Sequence, residues 1–114
     1  MNQTKKTEDL VNYIQERCLW QFYSRSWDRE ENIEGVLTKT QEILTDENSV
    51  LETDADRCWF ADAKILVSDF KYHFPWLKEE NSESIKTIID GVKTRMREIA
   101  IEKSHNEELN ISNY

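Results

Sequence analysis

No proline occurs before Pro75, and the only glycines are Gly35 and Gly91. A turn-rich β fold needs far more of both, because tight hairpins depend on residues that tolerate unusual backbone angles. A chain so poor in breakers folds as a few long helices or not at all. Its 114 residues suit one domain, spanning 1–114. A domain of this size buries roughly two-thirds of its unfolded surface, enough for a modest core. The expectation is an all-α fold: a small four-helix bundle, or five helices if the tail adds a short one.

Apolar spacing locates the helices. The first is expected over 8–25, with Thr7 as N-cap and Glu8 and Asp9 in its first turn. The second, 28–45, places Ile33, Val36, Leu37, Thr40, Ile43 and Leu44 on one side. Thr53 or Asp54 caps a third over 54–73, whose stripe is Trp59, Ala63, Leu66, Val67, Phe70 and Phe74. Pro75 stops it, since the residue before a proline is pushed out of the helical region. Asn81 or Ser82 caps a fourth over 82–101, carrying Ile85, Ile88, Ile89, Val92, Met96 and Ile99. Gly91 costs this helix about 1 kcal/mol relative to alanine, or permits a close approach to a neighbour. The tail 102–114 reads as a short helix or an extended arm.

Charge excludes one class of partner. A net charge of −8 repels nucleic acid in the absence of a basic stripe. The N-terminal "MNQTKKTEDL" has no apolar stretch, and no run approaches the ~20 apolar residues of a membrane span, so a cytoplasmic location is expected. Cys18 and Cys58, forty residues apart, read as buried thiols rather than as a disulfide or a cluster site. His73 and His105 lie in different segments with no second ligand at metal spacing, and His73 suits a helix C-terminus. No phosphate loop and no nucleophile elbow is present. The expectation is a module without catalytic residues or a metal site of its own.

The stretch "CLWQFYSRSWDRE" gives that module something to do. On a helical wheel Leu10, Val11, Ile14, Cys18 and Phe22 fall on one side, while Tyr13, Trp20 and Tyr23 fall on the other, joined by Trp27 if the helix continues. Either the helix is buried all round or the second face meets a partner. Tryptophan, tyrosine and arginine dominate interface energetics, so Tyr13, Trp20, Tyr23, Arg25, Trp27 and Arg29 are candidate partner-binding residues. Trp76, in the connection after Pro75, is a seventh candidate, or a lid on the core.

Several strings carry a resemblance. They are "ERCLWQFYSRSWDREENIEGVL" (16–37), "DRCWFADA" (56–63), "FPW" (74–76), "IIDGVKTRM" (88–96) and "NEELNISNY" (106–114). Together they resemble the δ subunit of the alternative nitrogenases, over about Thr7 to Tyr114. "WDREENIEGVL" and "FADA" look nearer the vanadium–iron branch, and "DRCW" nearer the iron-only branch. The resemblance leans to vanadium.

It implies a helical chain in a hexamer of two α, two β and two δ subunits, docking mainly on α. In that family the α and β chains carry the P-cluster and the iron–vanadium or iron-only cofactor. The iron protein reductase is a transient partner of the complex. The δ chain is itself no enzyme but serves a complex that reduces dinitrogen to ammonia. An alternative reading is an assembly factor delivering the metal cofactor to the cofactor-free enzyme, with Cys18, Cys58 and His73 as candidate cofactor-binding residues. A third, setting the resemblance aside, is an unrelated helical protein-binding adaptor.

Overall fold

The computed structural model describes residues 2–18, 29–45 and 50–112, and among them every regular element is helical. The elements are α1 (Gln3–Tyr13), a π-helical turn (Ile14–Cys18), α2 (Arg29–Leu44), α3 (Asp54–His73), a 3₁₀ turn (Pro75–Glu79) and α4 (Ser82–Ser112). The expected all-α bundle of four helices is what the chain forms.

Three boundaries differ from expectation; one is the end of α1, which passes into the π-helical turn at Ile14 where an α-helix to 25 was expected. α1 begins at Gln3 rather than after Thr7, because Asn2 supplies the cap: its side chain accepts a hydrogen bond from the Lys5 N–H at 2.8 Å. The Lys5–Asp9 pair at 3.0 Å, one turn apart, supports the added turn. α4 continues to Ser112 instead of stopping near 101, since no glycine or proline interrupts the polar tail. The other caps follow local chemistry. Thr53 and Asp56 form a reciprocal capping box, each side chain accepting from the other's backbone N–H. Asn81 Oδ1 accepts from the Ser84 N–H at 2.8 Å to open α4.

The core gathers the expected stripes. Leu10, Val11 and Ile14 from α1 meet Ile33, Val36 and Leu37 from α2, Ala63, Leu66 and Phe70 from α3, and the α4 series Ile85 to Ile99. α2 is the central rod, packed against both α3 and α4, while α1 lies along α4. Thr40, at the heart of α2, is fully buried and donates to the Val36 carbonyl, so its hydroxyl is satisfied within the helix. Gln41 Nε2 donates to the Lys86 carbonyl and to Asp90, and Arg97 pairs with Glu34, lacing α2 to α4.

The glycines mark where helices approach most closely. A Cβ on Gly35 would lie 2.2 Å from Trp59 Cδ2, so the indole of α3 rests on the bare backbone of α2. A Cβ on Gly91 would lie 3.1 Å from Thr7 Cγ2, a milder approach of α1 to α4.

The molecule measures 51 × 36 × 20 Å. Its thickness is about two helix diameters, and α4 at 31 residues is about 46 Å long, so it runs the length of the molecule. The radius of gyration, 14.9 Å, exceeds the ~13 Å of a compact globule of this length. A layer two helices thick leaves outward helix faces that no other described element covers.

At the α2–α3 junction Lys39 is 7% exposed and sits 3.6 Å from Asp56 and 3.4 Å from Glu42. Burial pushes the Asp56 carboxyl up. The hydrogen bonds from Thr53, the Lys39 ammonium and the Glu52 backbone together outweigh it and hold the group below its ordinary value of 3.8.

Two outcomes follow from this packing. Gly35→Ala is expected to lower stability by roughly 1–3 kcal/mol, because a rigid indole must move, whereas Gly91→Ala is expected to be near neutral, its helix-propensity gain offsetting a small shift of Thr7. Urea midpoints at unchanged slope measure both. The depressed Asp56 pKa contributes stability that is full above 3.8 and is lost as pH falls through the lower folded-state value. Asp56→Asn should therefore flatten the acid limb of the stability–pH curve relative to the parent chain, read from urea unfolding at stepped pH.

Candidate interaction surface

Two of the seven partner-binding candidates have described side chains, Tyr13 and Trp76, and both belong to one aromatic cluster where α1 crosses the end of α3. The Tyr13 ring lies edge-on to Phe70 (6.0 Å) and to Phe74 (5.8 Å), and 5.0 Å from the His73 imidazole. Phe74 in turn meets Trp76 at 5.9 Å. Such pairs contribute about 0.5–1.5 kcal/mol each beyond simple burial.

Local sequence explains the convergence. Pro75 forces Phe74 out of the helical region, to φ −127° and ψ 77°, and the 3₁₀ turn folds Trp76 and Leu77 back toward the core. Lys6 completes the clamp. Its ammonium lies 5.3 Å from the centre of the Trp76 ring and is ion-paired with Glu80, both charged side chains being largely shielded from water. Trp76 is thereby a half-buried lid with a cation over it. A shallow depression of about 290 Å³ opens beside this cluster, lined by Asp9, Asn12, Tyr13, Glu16, His73 and Phe74.

Trp20, Tyr23, Arg25 and Trp27 lie outside the described residues, and Arg29 begins α2. Ahead of the aromatic stretch, the backbone takes a π-helical turn from Ile14 to Cys18. A π turn is wider than an α-helical one, so a wheel drawn at 100° per residue describes this segment only as far as Ile14.

Of the candidate cofactor ligands, Cys58 and His73 do not converge, and the Cys18 side chain lies outside the described residues. Cys18 closes the π-helical turn, and Cys58 is a free, half-buried thiol in the first turns of α3. His73 is exposed at the other end of α3, fifteen residues on and about 22 Å along the axis, too far to share an ion with Cys58. Among the described residues no three of His, Cys, Asp and Glu come together in a way that could hold a metal ion. Among the described residues, no helix is long and apolar enough to cross a membrane.

Periodicity missed the outer face of α3. Ile65 is 51% exposed and Tyr72 is 82% exposed, on the side away from α2. The signal was present in the sequence as a second register, seven residues apart, beside the core stripe.

The described residues thus define a small helical protein whose aromatic clamp faces inward and whose third helix carries apolar side chains outward. Residues 4–114 match the sequence model of the vanadium/alternative nitrogenase delta subunit, and the chain belongs to that family. It is 43% identical to the nitrogenase iron-iron protein delta chain of Rhodospirillum rubrum, an alignment covering 92% of this chain and 90% of that one. The delta chain of the same name from Clostridium pasteurianum is 42% identical over the same shares, and that from Rhodobacter capsulatus is 40% identical over 97% and 96%.

Proposed function

We propose that this chain is the delta subunit of a cytoplasmic alternative dinitrogenase, docked on the α/β core and required for that complex to fix nitrogen. The family match across residues 4–114 carries this reading. In it the chain performs no redox chemistry. The P-cluster and the iron–vanadium or iron-only cofactor reside in the α and β chains, two of each joining two δ chains, and the iron protein reductase meets the assembled complex. Trp20, Tyr23 and Trp27, with Arg25 and Arg29, are carried forward as partner-facing residues on the interface chemistry of their side chains.

The sequence strings lean to vanadium, and the relatives named above are delta chains of iron-iron proteins. The metal of the partner decides between the branches, so the measurement belongs on the complex. The tagged chain, drawn from nitrogen-starved cells and passed through gel filtration, is expected to carry α and β chains in equal amount with their iron. Vanadium in the same fraction assigns the vanadium branch, and iron without vanadium or molybdenum assigns the iron-only branch. A chain that elutes alone while dinitrogen reduction stays with the α/β fraction would contradict the reading.

A further inference from the structure

We propose that the depression between α1 and the end of α3 receives one arginine side chain of the nitrogenase partner, an inference that rests on the reading above. Asp9, Asn12, Tyr13 and Glu16 follow one another at spacings of three, one and three along α1 and its π-helical turn, and all four line one side of the depression. His73 and Phe74 close it from the end of α3. The half-buried rings of Tyr13 and Phe74 meet edge to face at 5.8 Å and form its wall. Asp9 and Glu16, seven residues apart, place a carboxylate toward each end. At about 290 Å³ and open to solvent, the depression falls just below the roughly 300–1,000 Å³ of small-molecule sites. That size suits one side chain presented by a neighbouring surface.

Ring chemistry and charge together identify the occupant. The lining holds two carboxylates and neither lysine nor arginine, and the exposed His73 imidazole is its one basic group. Lys5 reaches Asp9 at 3.0 Å from outside the depression, a solvent-exposed pair of little strength. Glu16 is exposed, and its carboxylate pairs with no cation among the described residues. The chain already uses the same recognition unit on the other side of Phe74, where Lys6 lies over the Trp76 ring and pairs with Glu80. An arginine fits better than a lysine, because a planar guanidinium stacks on a ring while its N–H fork meets a carboxylate. An acidic side chain is repelled by Glu16, and an aliphatic one strips water from the carboxylates without replacing its hydrogen bonds. Glu16 also opens the string 16–37 whose Trp20, Tyr23 and Trp27 are carried forward as partner-facing, so the contact continues that surface in sequence.

Retention of α and β chains by the tagged, full-length subunit tests this. Glu16→Lys is expected to reduce retained partner about tenfold or more, and Tyr13→Leu, which removes the stacking ring, should do the same. Glu52→Lys makes the same change of charge at an exposed position ahead of the far end of α3, and should retain partner like the parent chain. L-arginine methyl ester should release partner from the parent at concentrations where sodium chloride of equal ionic strength does not. Thermal melts by circular dichroism establish that each variant is folded, and should Tyr13→Leu fail to fold, Glu16→Lys alone decides. If the parent retains α and β and the folded variants retain them equally, the inference is overturned while the proposed function stands. If the parent retains neither chain, both fall. The ester binding the free parent chain but not Glu16→Lys, with partner retention equal in both, would assign the depression to a free guanidinium ligand and overturn the inference. A parent dimer that Glu16→Lys dissociates would assign it to a second copy, with the same consequence.

Discussion

The bundle is organised by the approach of α2 to α3, where the Trp59 indole rests on Gly35 with no room for a methyl group. This contact fixes how close the two helices run, and it turns the Ala63–Leu66–Phe70 stripe inward onto Ile33, Val36 and Leu37. Once that stripe is committed, the opposite side of α3 must face out. The two-helix thickness of the molecule leaves nothing in the described chain to lie over Ile65 and Tyr72. One close contact therefore determines both what α3 buries and what it displays.

Local signals were legible and long-range ones were not. The limits of α3 could be read because Thr53 caps by its own hydroxyl and Pro75 terminates by its own ring. The α1 start differs because Asn2 and Thr7 are both good caps, and choosing between them requires knowing that Thr7 packs beside Gly91. The polar tail suggested a short separate helix or an extended arm, while its continuation of α4 depends on the absence of breakers. Gly91 announced a close approach in sequence. Gly35, the tighter of the two, gave the same signal and went unread.

The candidate surface divides in the same way. Aromatic density located the region around Tyr13 and Trp76, but a wheel shows which residues share a face and not what lies across from it. Tyr13 points to the end of α3, an element more than fifty residues away in sequence, and Trp76 is held by Lys6 from the start of the chain. The outward register of α3 was within reach, since seven-residue spacing needs no tertiary knowledge.

The inner side of α3 is fixed by the chain's own fold, and its outer side is displayed as a consequence. Mass-spectrometric footprinting of the folded chain tests this most directly. The account predicts ready labelling of Tyr72 and strong protection of Phe70, two residues away on the same helix. Equal labelling of the two rings would contradict it.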